Sequence, residues 1–256
     1  MIDQTLLNLL PPLRRARGDR LYGPDQRHWV DLWKQDGAWL LGHRPEGAAR
    51  EWKNQVDKGL ATWAPSVWPR RLELLVRRLV PGVAAVRVSR NADRVEPMPV
   101  WRPWFDESAD LGPRFCCVLP TGPGQAVAVV YTEGWTGLVP ENDVTSPAEA
   151  SALVAAAAQV LRFSTEARAV AERAAAAAAF DLLLPGVWER RGVWFRPLVK
   201  PGEFAGLFRA HFDGGFLLNP DPQGWGIVPT GLSPGEWQAW KRVLEGWTQG
   251  RTAWTT

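Results

Sequence analysis

Residues able to carry acid–base, nucleophilic or metal chemistry are few in this chain and poorly spaced for it. The three histidines and the adjacent pair Cys116-Cys117 are too scattered for a tetrahedral zinc site. His211-Phe212-Asp213 puts an imidazole and a carboxylate two residues apart, a weak arrangement for a general base. The loop Pro120-Thr121-Gly122-Pro123-Gly124-Gln125 has the glycines and hydroxyl that could cradle a phosphate. It lies between two apolar runs, Phe115 to Leu119 and Ala126 to Thr132, and not before a helix, so it reads as a hairpin loop. Amine nucleophiles are limited to Lys34, Lys53, Lys58, Lys200 and Lys241, with no lysine between Lys58 and Lys200.

The elements that must position these groups follow from pattern and punctuation. Asp3 to Leu10 reads as a short amphipathic helix stopped by Pro11-Pro12, and Arg14 to Arg20 as a basic connector. Gly23-Pro24-Asp25 is a turn. His28 to Leu32 alternates as a strand. Gln35-Asp36-Gly37 makes a second turn, and Trp39-Leu40-Leu41 reads as a short apolar strand closed by Gly42. Pro45 opens a helix with Trp52, Val56 and Leu60 on one face. Pro69 opens another, with Leu72, Leu75, Val76 and Leu79 at helical spacing, ended by Pro81-Gly82. Val83 to Val88 is a strand, and Glu96 to Gly112 reads as irregular. Ser146-Pro147-Ala148-Glu149 is a capping box that opens a helix to about Phe163. A further helix runs through Ala174 to Ala179, and the alanine content of both predicts close helix packing. Val193 to Val199, Phe216 to Asn219 and Gly226 to Pro229 read as strands, with a short helix over Phe204 to His211. Ser233-Pro234-Gly235-Glu236 is a second capping box, and its helix places Trp237, Trp240, Leu244 and Trp247 on one side.

Composition bounds the function classes. A formal charge of +3 with arginines clustered on separate elements argues for solvated helix faces and against nucleic-acid binding. No apolar run reaches bilayer length, and no basic-then-apolar leader opens the chain. With no disulfide framework, the cytoplasm is the expected compartment. Sixteen tryptophans serve as core filler or as a large partner surface.

The run Leu21 to Trp63 resembles the N-terminal segment of class III, fold-type I aminotransferases, which depend on pyridoxal phosphate. The matching residues, in order, are Arg27, Asp31, Leu32, Gly37, Leu41, Gly42, His43 and Pro45. The helices after Ser146 and the C-terminal β-α-β-β-α order are similar to that family's approach to its small domain. The resemblance implies an α/β (α+β) fold: an N-terminal segment, a shortened large-domain remnant and a small α+β domain, divided as residues 1–137 and 138–256. It covers the first third and the last two-fifths of the chain.

The resemblance also says where the cofactor machinery would sit. The family's phosphate loop falls on Ser89-Arg90-Asn91-Ala92-Asp93, with Ser89 and Asn91 as the candidate phosphate residues and Arg90 where the family has glycine. Trp33, Gly37 and Trp39 are candidates for the substrate side. The family's Schiff-base lysine has no counterpart in context, and Lys34 is the candidate nearest the site. No arginine lies between Arg209 and Arg242, where the family often keeps one for the substrate carboxylate. Three losses at three places imply a non-catalytic relative with no cofactor and no metal expected. The alternative is a pyridoxal-phosphate transaminase that uses Lys34 or a site completed by a partner subunit. The expected assembly is a homodimer, or a hetero-oligomer with an intact aminotransferase in which Trp29 to Trp39 and Trp101 to Trp104 form the contact surface.

Overall fold

His28–Asp31 (β3) is the strand around which one part of the chain assembles. It pairs antiparallel with Arg20–Tyr22 (β2), which pairs in turn with Arg15–Arg17 (β1). On its other edge it pairs parallel with Phe216–Leu217 (β10), in register Val30 to Phe216. The computed structural model describes residues 3–89, 98–105, 111–120, 126–143, 145–183 and 186–252. These divide into two compact units, one of residues 1–36, 104–106 and 168–256, the other of 37–103 and 107–167. The fold is mixed α/β, as the sequence implies.

In the first unit the β1-β2-β3-β10 sheet is joined by a three-stranded sheet. It consists of Trp188–Arg191 (β8), Trp194–Pro197 (β9) and Gly226–Ile227 (β11), in the order β11-β9-β8. The chain at Leu32 links the two sheets, since its N–H donates to Leu217 O at 2.9 Å and its carbonyl accepts from Ile227 N at 2.7 Å. Gln4–Leu7 (α1), Ala167–Asp181 (α5), Pro201–Asp213 (α6) and Pro234–Thr252 (α7) complete the unit. Its core is aromatic: Trp29, Phe180, Phe195, Phe208 and Trp240 are all at most 2% exposed. Trp29 stacks on Phe212 at 5.2 Å and donates its indole N–H to Phe212 O at 3.0 Å, so its polar tip is satisfied inside the core. Trp240 and Leu244 of α7 are buried, and Trp237 and Trp247 pack beside them. The Ser233 capping box forms, with Ser233 Oγ accepting from Glu236 N and Glu236 Oε2 accepting from Ser233 N.

The second unit carries the sheet β4-β7-β6-β5, built from Val83–Ser89 (β4), Val100–Trp101 (β5), Arg114–Cys117 (β6) and Val127–Thr132 (β7). Val86, Val88, Phe115, Cys117, Ala128 and Val130 point from one face into a core with Glu46–Asp57 (α2), Trp68–Leu79 (α3) and Pro147–Thr165 (α4). Leu72 and Val76 of α3 and Ala156 and Ala157 of α4 are at most 1% exposed. The capping box at Ser146 opens α4, which runs two residues beyond its expected end.

Several expectations need correction. Arg14 to Arg20 is not a connector but most of a hairpin, turned at Gly18 (φ 54°). Trp39-Leu40-Leu41 is a turn and not a strand. Gly37 and Gly42 both take positive φ, and the bonds Leu40 N to Gly37 O and Gly42 N to Trp39 O span three residues each. α2 forms where expected but turns another face inward: Ala48 and Gln55 are buried and Trp52 is 43% exposed. The reason is close approach, since a Cβ at Gly47 would clash with the Gln159 amide of α4. α4 buries its alanines, as expected, but α5 buries only Ala176 and Phe180. Strand β8 is an addition, and α6 is longer than the Phe204 to His211 expected.

Candidate functional site

Asp31 and Leu32, two residues of the resemblance, lead into a left-handed turn over Lys34–Gly37. Lys34, Gln35 and Asp36 have φ of 51°, 46° and 55°, and Gly37 has 100°. A left-handed run of non-glycine residues costs about 1–2 kcal/mol per residue. It persists only where the surroundings over-determine it. Here they do. Asp31 is buried and its Oδ1 accepts from Trp33 N at 3.0 Å and Lys34 N at 2.9 Å. Asn219 donates to Asp36 Oδ1 at 2.8 Å and to Trp225 O at 3.0 Å, and accepts from Asp221 N at 3.0 Å. Gly224 is tied to this arrangement, because a Cβ there would overlap the Asn219 amide.

Lys34 is the buried anchor of the turn. It is 2% exposed, and its ammonium is ion-paired with the carboxylate of Asp19, whose side chain is 15% exposed. An amine held this way is a donor to a carboxylate and is not presented to a carbonyl carbon. The other lysines are exposed. Lys53 lies on α2, Lys58 follows it, Lys200 precedes α6, and Lys241 of α7 sits 3.8 Å from Glu245. Trp33 is half-buried against the first unit's core, Gly37 is buried, and Trp39 is half-buried, with its ring 5.0 Å from that of His43. Trp29, offered as part of a contact surface, is inside the core at 2% exposure and drops out of that surface. His211 is fully buried on α6, with Nδ1 2.8 Å from Leu207 O and Nε2 unpartnered. Burial, only partly offset by the Leu207 carbonyl, pushes its pKa down to about 4. It packs against Trp188 and Trp240, away from solvent.

The phosphate-loop expectation falls on the second unit. Ser89 ends β4 and its hydroxyl donates to Asp143 Oδ2 at 2.8 Å. Asn91, with Arg90, Ala92 and Asp93, lies outside the described residues, as do residues 121–125 of the glycine-bearing loop. Ser89 lies on the sheet face opposite the core. Strand alternation and register put Arg87 and Ser89 of β4, Val129 and Tyr131 of β7, and Arg114 and Cys116 of β6 on that face. All of these but Cys116 line a cleft of about 200 Å³ with Val88, Met98, Pro140, Glu141 and Asp143. A serine turned toward a carboxylate, with a second carboxylate on the rim, is a poor cradle for a phosphate dianion. Of the expected phosphate loop Ser89 alone is described, and its hydroxyl is already engaged by Asp143. The neighbouring Cys117 faces the core, where burial, and secondarily Cys116, raises its pKa and keeps it a thiol. Among the described residues no cluster of three or more His, Cys, Asp or Glu could hold a metal, and no helix is long and apolar enough to cross a membrane.

Sequence reasoning missed the Asp19–Lys34 and Asn219–Asp36 pairs, which join residues 15 and 183 positions apart. Asp31 was visible as a motif residue but not as the cap of a turn. It also missed the shared face of Arg114 and Tyr131. The alternation in each run carried that signal, but only the register makes them neighbours.

Comparison with known proteins places the fold. No family model matches the chain. Over 76 residues, 30% of the chain, it is 34% identical to an uncharacterized protein of Borreliella burgdorferi. Over the same length it is 29% identical to a glutamate-1-semialdehyde 2,1-aminomutase of Ruminiclostridium cellulolyticum. Those matches span 28% and 18% of the relatives' own lengths, so the chain matches less than a third of either. Solved structures align over nearly all of it. A β-phenylalanine aminotransferase from Variovorax paradoxus superposes with a TM-score of 0.71 at 10% identity, covering 94% of this chain and 87% of that one. An omega-transaminase from Sphaerobacter thermophilus gives 0.66 at 12% identity, covering 93% and 91%. A glutamate-1-semialdehyde aminomutase from Pseudomonas aeruginosa gives 0.67 at 10% identity, covering 93% and 87%. The chain has the aminotransferase fold, and the resemblance read from Leu21 to Trp63 is to the fold that its structural neighbours share.

Proposed function

We propose that this chain is a non-catalytic protein on an aminotransferase fold, one that binds a ligand or partner without transferring an amino group. The observation that carries the reading is the state of Lys34. It is the candidate lysine of the segment that borders the site in the resembled family, and its ammonium is buried against Asp19. The internal aldimine of a pyridoxal-phosphate enzyme needs an amine that reaches the cofactor aldehyde and then moves a proton. Extracting Lys34 would leave Asp19 without its cation and collapse the turn that Lys34 anchors. The carboxylates beside Ser89 and the lack of arginine between Arg209 and Arg242 support the same reading.

No cofactor is proposed for the isolated chain. Mixing purified protein with pyridoxal phosphate is expected to give no aldimine absorbance band that Lys34→Ala removes. No amino group should pass from an amine donor to an oxo acid. A transferred amino group abolished by Lys34→Ala would replace this reading with the transaminase alternative. The partner role extends to a second copy or to an intact aminotransferase. The exposed Trp52 (43%) and Trp63 (58%) are the aromatic surface that supports it. Size-exclusion of the chain, alone and mixed with such an enzyme, separates these arrangements.

A further inference from the structure

The sheet of the second unit has one face in the core and one lined by Arg87, Ser89, Arg114, Val129 and Tyr131. Arg114 stands apart on that face. Among the described residues its side chain makes no hydrogen bond and no ion pair. Its contacts are the rings of Tyr131 and Trp135, each 5.9 Å from the guanidinium carbon. Its Nε is buried and has no partner. Arg87, on the same face, is already occupied: it donates to Pro140 O at 2.7 Å and Val86 O at 2.8 Å, and lies 3.6 Å from Glu73. A buried donor with no acceptor costs about 1–3 kcal/mol. Such a group in a native fold calls for an explanation, and a bound ligand is one.

We propose that this cleft binds a small organic monocarboxylate, with the carboxylate on the Arg114 guanidinium and the apolar body against Met98, Val129 and Pro140. The guanidinium edge offers two parallel N–H groups matched to a carboxylate. Tyr131 lies directly across the strand pair from Arg114 and lines the same cleft, so its hydroxyl is the second donor. One unpaired cation balances one negative charge. Glu141 and Asp143 on the rim repel a dianion such as phosphate. A cleft of about 200 Å³ is below the usual range for drug-sized ligands and suits an acid of a few carbons or one ring. Carboxylate binding at Arg114 goes beyond the non-catalytic reading and neither needs nor excludes an aldimine at a lysine.

The test follows the Arg114 Nε–H resonance of the ¹⁵N-labelled full chain in carboxylate-free buffer at constant ionic strength. Butyrate, benzoate, benzamide and inorganic phosphate are titrated separately. Benzoate or butyrate is expected to shift the resonance saturably, with benzamide and phosphate far weaker. Isothermal titration should show Arg114→Met weakening the carboxylate by about tenfold or more, and Tyr131→Phe by about threefold. Tyr131→Phe keeps the ring packing and serves if Arg114→Met does not fold. No saturable shift with either carboxylate overturns the proposal. So does phosphate binding as tightly as benzoate, or unchanged affinity in the variants.

Discussion

The left-handed turn at Lys34–Gly37 and the outer face of the β4-β7-β6 sheet are opposite solutions to placing charge inside a protein. At the turn, the named polar side chains are matched: Lys34 to Asp19, Asp31 to two amides, Asn219 to three groups. On the sheet face, Arg114 keeps a buried donor with no acceptor among the described residues. The first arrangement stabilises a strained backbone and leaves no reactive group over. The second gives little to stability and leaves a charge available to a ligand. Stability and chemistry have separated, with the lysine nearest to catalytic context serving the fold.

That contrast can be broken at either end. Lys34→Met strands a largely buried Asp19 carboxylate and is expected to destabilise by about 3 kcal/mol in urea unfolding. A loss below about 1 kcal/mol would mean that the ion pair does not anchor the turn.

A comparable effect belongs to His211, in the same unit. Burial holds its folded pKa down at about 4, below the ordinary imidazole value of 6.5. Between those values the unfolded chain binds a proton that the folded chain does not. Stability therefore falls as pH drops from about 6.5 to about 4, by about 3 kcal/mol in total, and is untouched above that window. His211→Gln should flatten this slope in denaturation curves measured across that range.

Asn219→Ala removes three hydrogen bonds around a buried amide and is expected to cost about 2 kcal/mol, read the same way. Ser146→Ala removes the N-cap of α4 and sharpens the scale at about 1 kcal/mol by thermal unfolding. Smallest is Arg114→Met. With only two ring contacts to lose, it should change stability by about 0.5 kcal/mol. If it cost as much as Lys34→Met, the sheet face would be structural and the contrast would fail.

How much of this was legible in the sequence depended on whether the signal was local. Capping boxes at Ser146 and Ser233, the proline-led starts of α2 and α3, and the apolar alternation of β4 and β7 could be read directly, because each is set by residues within one turn or one strand. The hairpin of β1 and β2 and the strand β8 could not. Arg15, Arg17 and Arg20, and the run Trp188-Glu189-Arg190-Arg191, are too charged to alternate visibly, and they pair because of what lies across the sheet. Trp52 misled for a different reason. Helical spacing located the helix but not its inward side, which α4 chose by admitting Gly47 and Ala48 at close range. Asp31 and Lys34 drew notice as pieces of a resemblance, while their partners Asp19 and Asn219 carried no pattern of their own.

The account's central claim is that Lys34, buried against Asp19, is withheld from an aldehyde cofactor and that no other described lysine stands in a site for one. It is tested most directly by treating the folded protein with one equivalent of pyridoxal phosphate, reducing with borohydride and weighing the intact chain. The predicted result is an unlabelled Lys34, with no more than scattered, substoichiometric labelling of the exposed lysines. A single stoichiometric adduct, mapped by digestion to Lys34 or to any other one lysine, would contradict it.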